Sequence, residues 1–366
     1  MEQTSQREIR AIDPTWDLAE LMARLAKALI GEGPALALGP VSVAGAPDRV
    51  ALIVNTSGST GIAKEVGLSA SELLESAKSA NKFVGAKPGQ IWSLLLPLTH
   101  IAGINVLVRS LELGTVPIDA REVTGRYPFA DFTAVVPTQL FRALNGDNDL
   151  LEHLISAQAV LVGGAALTSE LREASRNAGI NVIETYGMTE TSGGCIYNGI
   201  PLDGTEFEID DLGIIAISSK SLATTYLNDP KSWDEKIRNG YFVTTDVGHL
   251  EDGKLVVTGR SDDVIISGGE NISLAEVERI VSSTFSGIEC AAFSIPDSQW
   301  GQSLQLAIAG DVKPEQSAIN EYLSSQISRA AKIKNFLYIN QLPRTALGKI
   351  DRRKLAEIAT GANNGE

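Results

Sequence analysis

Nine consecutive residues, Thr56-Ser57-Gly58-Ser59-Thr60-Gly61-Ile62-Ala63-Lys64, concentrate hydroxyls, two glycines and one cation. Small residues let backbone N–H groups converge, hydroxyls donate to anionic oxygens, and Lys64 adds charge. Such a loop grips an anion, phosphate above all. Its spacing is not that of the nucleoside-triphosphatase phosphate loop, which sets four residues between its glycines and follows them at once with Lys and Ser or Thr. An ordinary Ser/Gly turn between strands would not need this density of donors. A second run, Thr185-Tyr186-Gly187-Met188-Thr189-Glu190-Thr191, follows an apolar stretch at 181–184, where a ligand loop at the carboxyl edge of a sheet belongs. Taken alone it also fits a turn in a core.

The rest of the chain must position these loops. At 366 residues and 43% hydrophobic content it exceeds the size at which one core usually keeps growing, so two domains are expected. The formal charge of -14 argues against nucleic acid as a partner and requires that any polyanion be held by local groups and a divalent cation. Cys195 and Cys290 are too isolated for a disulfide framework or a structural zinc site and read as buried small apolar residues. No apolar run approaches a membrane span and no leader pattern opens the chain, so a cytoplasmic protein is expected.

Leu18, Leu21, Met22, Leu25 and Leu29 form one helical stripe. Strands are expected at 50–55, 91–96, 133–136, 159–162 and 181–184, with a helix opened by the Ser69–Glu72 capping box, another over 104–113, and a third capped by Thr168. Continuous apolar strands between capped helices imply an α/β fold: a large N-terminal domain with mainly parallel sheets and covering helices. Beyond Gly199 short strands follow, including a hairpin at Asp252-Gly253, and give this domain a β-rich end. A small α+β C-terminal domain is expected after Arg260, with a capping box at Ser273–Glu276, Pro314 in the first turn of a helix, and strands at 290–294, 304–309 and 336–339.

The run 56–64 resembles the signature loop of the adenylate-forming superfamily of acyl-CoA synthetases and peptide-synthetase adenylation domains, with Ala63 where proline is usual. The run 185–191 resembles its second signature, which implies Tyr186 against adenine, Thr189 at the α-phosphate and Glu190 on Mg2+; Thr185, Gly187 and Met188 complete that loop. A hard cation does want carboxylate oxygen and shared phosphates. Val162-Gly163-Gly164-Ala165-Ala166 is similar to the segment on which adenine lies, and is equally a tight strand-to-helix turn. Asp246, in Tyr241-Phe242-Val243-Thr244-Thr245-Asp246, matches the aspartate that accepts from the ribose hydroxyls, and otherwise caps a turn. Gly259-Arg260-Ser261-Asp262-Asp263 resembles the inter-domain hinge, with Arg260 near ribose and phosphate and Asp262 as the swivel, which divides the chain into domains 1–261 and 262–366. Gly268 and Gly269 match residues lining a channel for the pantetheine thiol of coenzyme A. Leu342-Pro343-Arg344-Thr345-Ala346-Leu347-Gly348-Lys349 matches the mobile loop whose lysine is catalytic. Without the family, Lys349 is a surface lysine near Arg352-Arg353-Lys354.

The resemblance implies ATP, Mg2+ and coenzyme A as reactants and a ligase that forms an acyl-adenylate before a thioester. A short amino region, Val136-Pro137-Thr138-Gln139-Leu140, the run Tyr186–Cys195 and Pro201-Leu202-Asp203-Gly204 resemble the o-succinylbenzoate–CoA ligases of menaquinone biosynthesis, particularly the short bacterial form. That implies an acid pocket with Ser192, Gly193 and Gly194 leaving room for a ring, and with His100 as gate or wall; a lone His is otherwise structural. No Arg or Lys stands within these pocket motifs to meet a second carboxylate. Another acid–CoA ligase, an adenylation enzyme loading a carrier protein, and a non-catalytic nucleotide-binding protein stay open, and a homo-oligomer is expected by analogy alone.

Overall fold

The structure is a computed structural model; it describes residues 6–56, 63–267, 270–285, 288–297, 300–310, 313–344 and 350–361, the side chains of residues 262 and 271 excepted. Two compact units emerge: Met1–Glu208 with Ala216–Thr244, and Ile209–Ile215 with Thr245–Glu366.

In the first unit, strands Trp92–Leu94, Phe132–Val135, Ala159–Val162 and Val182–Met188 lie side by side, all parallel. The first three are buried along their whole length, as strands covered on both faces must be. Val182–Met188 outruns its parallel neighbour and turns back as Gly193–Tyr197 in an antiparallel hairpin. The strand expected to stop at residue 184 therefore carries the ligand loop on its own extension. A second sheet runs in the order Thr225–Tyr226, Lys64–Ser69, Val50–Thr56, Ala35–Ala37, Ile9–Ala11. Its antiparallel pair, Val50–Thr56 with Lys64–Ser69, brackets residues 57–62.

The sequence pattern hides Lys64–Ser69, because Lys64, Glu65 and Gly67 interrupt its apolar alternation. Its last residue, Ser69, makes the expected capping box with Glu72 and opens the helix Ala70–Phe83. That helix and Ile101–Glu112 carry Leu73, Ala77, Ile104 and Leu107 into one core with Leu52, Leu68, Trp92 and Phe132. Cys195 is buried as expected, its thiol pushed up to about 12 by desolvation. Cys290 is only half-buried, and burial pushes its thiol up to about 11.

The second unit takes the long strand Tyr241–Glu251 from Thr245 on, and pairs it with Lys254–Arg260 around Asp252 and Gly253, both at positive φ. That is the hairpin the Asp-Gly pair announces. A five-stranded sheet follows in the order Glu270–Ser273, Val264–Ser267, Gly301–Ala309, Glu289–Asp297, with Asn335–Ile339 parallel to Gly301–Ala309. Helices Leu274–Thr284 and Gln316–Gln326 bury Val277, Val281, Ile319 and Leu323 against Leu306 and Ile308. The second of them starts at Gln316, so Pro314 precedes its Glu315 cap instead of lying in its first turn. No described helix is long and apolar enough to cross a membrane.

Candidate active site

Of the anion loop, Ser57, Gly58, Ser59, Thr60 and Gly61 lie outside the described residues. Its ends are described: Thr56 and Lys64 face each other in register on the antiparallel pair, so the chain leaves and re-enters the same end of the sheet. The Lys64 ammonium stands 4.3 Å from the ring centroid of Tyr226.

Around the hairpin of Val182–Met188 and Gly193–Tyr197, glycines at 163, 187, 193 and 194 are demanded by close approach. A Cβ on Gly163 would come within 2.3 Å of Thr185 Oγ1, and one on Gly187 within 2.0 Å of the Gly193 carbonyl oxygen. Gly163, Gly164 and Ala165 follow the strand Ala159–Val162 in an open loop, half-buried at Gly163 and exposed at the next two. Thr185, Tyr186 and Met188 are half-buried on the hairpin, with Tyr186 in register against Ile196. Thr189 and Glu190 sit in the short 3-10 turn Thr189–Thr191 at its tip, where Thr191 Oγ1 accepts from Met188 N at 2.9 Å and donates to the Gly193 carbonyl at 2.6 Å.

Ser192 adopts a left-handed φ of 53° and is fully buried. Its hydroxyl donates to the Ser221 carbonyl at 2.8 Å, while its own carbonyl accepts from Ser76 and Asn105. The side chain expected beside a ring is thus turned into the protein; Gly193 is buried and Gly194 half-buried. Gly193, at φ 99°, would put a Cβ 2.1 Å from Asn105 Nδ2.

Residues 221–228 form a strap that sequence patterning does not announce. Ala223 N donates to the Glu190 carbonyl at 2.8 Å, and the Tyr226 hydroxyl donates to Glu190 Oε1 at 2.7 Å. Leu227 N reaches the Glu65 carbonyl at 2.7 Å, and Asn228 accepts from Glu65 N while donating to the Ala63 carbonyl. The strap therefore ties the strand leaving the anion loop to the turn carrying Glu190. Burial and the adjacent Glu190 carboxylate push the Tyr226 phenol up, so it stays a donor. Its sequence signal is one aromatic–apolar pair, Tyr226-Leu227, between polar residues, too short for patterning to read as an element.

His100 is the N-terminal cap residue of Ile101–Glu112 without a side-chain capping bond, half-buried; desolvation holds its imidazole below the usual range and hence neutral at pH 7. Two turns further on, Arg109 is 5% exposed. Its Nη2 donates to the Tyr197 hydroxyl at 3.3 Å, its guanidinium carbon lies 5.0 Å from the Trp92 ring centroid, and its Nε has no hydrogen-bond acceptor among the described residues. Among the described residues no carboxylate forms an ion pair with it. Tyr197 in turn borders Gly194, where a Cβ would come within 2.8 Å of Tyr197 Cε1. Sequence reasoning misses Arg109 because a cation in an apolar helix usually snorkels to water.

In the second unit Asp246 and Arg260 face each other in register, with Arg260 Nη1 3.6 Å from Asp246 Oδ1. Asp262 lies in the 3-10 turn Ser261–Asp263, anchored by Ser261 Oγ donating to the Thr245 carbonyl at 3.0 Å. Gly268, Gly269 and Lys349 lie outside the described residues. On either side of the Lys349 segment, Arg344 and Ile350 meet in an antiparallel bridge. Just beyond, Arg352 holds both Glu278 oxygens at 2.9 and 3.1 Å and lies 3.5 Å from Asp263. Glu278 is shifted up, desolvation outweighing the Arg352 charge.

No three described His, Cys, Asp or Glu side chains cluster into a metal cage. A Mg2+ shared with nucleotide phosphates needs no cage, only one or two carboxylates, and Glu190, tied by Tyr226 and Ala223, would offer one.

The chain is similar to known proteins over most of its length. Residues 4–218 match the family model for AMP-binding enzymes. The probable 2-succinylbenzoate–CoA ligase of Mycobacterium tuberculosis is 36% identical over 371 residues, covering 94% of this chain and 96% of the relative. The 2-succinylbenzoate–CoA ligase of Lactococcus lactis subsp. lactis is 30% identical over 343 residues, covering 86% and 73%. Among solved structures, o-succinylbenzoate CoA synthetase from Bacillus subtilis in complex with its acyl-adenylate intermediate superposes with a TM-score of 0.73 at 24% identity, over 95% of this chain and 78% of that one. ATP-bound MatB from Rhodopseudomonas palustris gives 0.76 at 21%, over 96% and 83%.

Proposed function

The chain belongs to the AMP-binding enzyme family, and we propose that it is an ATP-dependent ligase that joins o-succinylbenzoate to coenzyme A in the cytoplasm. One observation carries the ligase reading: a cation, Lys64, and a fixed carboxylate, Glu190, meet around one phenol beside the anion loop. The choice of acid is supported by identity to the 2-succinylbenzoate–CoA ligases over nearly the whole chain.

In the first half-reaction the acid's carboxylate oxygen attacks the α-phosphorus of ATP and pyrophosphate leaves. Two anions must approach, and at about 4 Å unit charges repel by roughly 4 kcal/mol near a protein surface. Lys64 and the donors of residues 56–61 take the phosphate charge; Thr185 and Thr189 address the α-phosphate; Tyr186 with Gly163, Gly164 and Ala165 holds the adenine. Glu190 would hold Mg2+, which supplies charge neutralisation and alignment when bound. Asp246 and Arg260 hold the ribose side, and Lys349 bridges carboxylate and α-phosphate. Rotation about Asp262 then withdraws Lys349 and brings Gly268 and Gly269 to the thiol channel. In the second half-reaction the thiol sulfur attacks the acyl carbon and AMP leaves.

The acid lies against Gly193 and Gly194, with neutral His100 as a wall. Its second carboxylate needs a cation, and Arg109, buried without a carboxylate partner among the described residues and one side chain removed from Gly194, is suited to it. ATP–pyrophosphate exchange with a panel of acids, followed by coenzyme A and mass analysis, tests the reading. Exchange led by o-succinylbenzoate and a coenzyme A thioester are expected; exchange with other acids alone, or thioester formed only on a carrier protein, would refute it.

A further inference from the structure

Tyr226 is 1% exposed and takes no part in either half-reaction. Yet its hydroxyl ends on Glu190 Oε1 and its face receives the Lys64 ammonium. We propose that Tyr226 is a positioning residue that holds Glu190 and Lys64 apart in the arrangement a metal–nucleotide complex requires; this rests on the reading of Glu190 as the metal ligand.

Three constraints fix the phenol. Tyr226 pairs with Val66 and Thr225 with Gly67, so the strap is a strand of the same sheet that bears Lys64. Its ring meets Trp233 edge-on, with centroids 5.1 Å apart, and Trp233 stacks on Phe242 at 5.2 Å. The Ala223 amide clamps the Glu190 backbone from the same strap. Neither the ring nor the base of the carboxylate can shift independently.

The chemistry explains why a phenol stands here. Lys64 and Glu190 have opposite charges and, brought together, would neutralise each other as an ion pair, leaving neither for phosphate or metal. The ring face attracts the ammonium without taking its charge. The hydroxyl occupies one carboxylate oxygen and orients the other, the role that outer hydrogen-bond partners play for metal ligands.

Two measurements on the intact, ATP-loaded protein test this: Mn2+ binding followed by electron paramagnetic resonance, and the Mg2+ concentration giving half-maximal ATP–pyrophosphate exchange. Tyr226→Phe keeps the ring and should weaken Mn2+ binding roughly ten-fold and raise the Mg2+ requirement in step, with the KM for the acid and the melting temperature little changed. Glu190→Gln should weaken Mn2+ binding at least as much. Unchanged or tighter Mn2+ binding in Tyr226→Phe, while Glu190→Gln weakens it, would overturn the role of Tyr226. Unchanged binding in Glu190→Gln would remove the metal assignment and the inference with it.

Discussion

In the first unit the hairpin bearing Tyr186 and Glu190 is held by backbone packed against backbone, so tightly that Gly187 has no room for a methyl group beside the Gly193 carbonyl. In the second unit a Cβ on Gly248 would likewise meet the Val256 carbonyl oxygen at 2.5 Å, but the turn at 261–263 and the segments flanking Lys349 are tied by charges: Asp246 with Arg260, Arg344 with Glu289, and Arg352 with Glu278 and Asp263. Steric fixation is independent of salt and pH and sets a shape once. Ionic fixation can be broken and remade, which suits a unit whose proposed work is to carry Lys349 into and out of a site.

Mutation can test that contrast. Gly187→Ala should have the largest effect. Its Cβ meets a carbonyl that cannot yield without opening the hairpin, so a loss on the order of 3 kcal/mol is expected in urea unfolding, with exchange activity down about 100-fold and no relief from salt. Arg352→Met comes next. Fully buried pairs broken on one side cost about 3–5 kcal/mol, but these side chains retain 26% and 21% exposure, so about 2 kcal/mol is expected in the unfolding of the second unit.

A pH experiment probes the first unit. His153 is 3% exposed with Nε2 2.8 Å from Ser93 Oγ, and burial holds its imidazole below the usual range, as for His100. The unfolded chain then takes up protons first on acidification, so stability present above about pH 6.5 should fall as the pH drops. His153→Gln should flatten that fall in urea midpoints measured across the mildly acidic range. Asp203→Asn should do least: its pair with Lys82 is exposed at both ends, and a change below about 0.5 kcal/mol is expected in the same assay.

Much of the contrast is legible in the sequence. The capping Ser69, the Asp252-Gly253 turn and the hairpin glycines 187 and 193 announce local geometry, and local geometry is what patterning reads. Ser192 misleads, because its hydroxyl answers a carbonyl 29 residues away that no local rule foresees. The strap at 221–228 and buried Arg109 escape for a similar reason, each being defined by partners distant in sequence, whereas the strand Lys64–Ser69 escapes because polar residues and Gly67 break its alternation. The hinge proposed at Asp262 is a statement about motion, whereas compactness groups Thr245 onward with the second unit.

The proposed mechanism rests on one site serving two half-reactions through a lysine delivered by the second unit. Lys349→Ala, measured separately in each half-reaction, tests it most directly. ATP–pyrophosphate exchange should fall by about 100-fold or more, while thioester formation from supplied acyl-adenylate and coenzyme A persists near the unmutated rate. Equal loss of both, or exchange that survives, would contradict it.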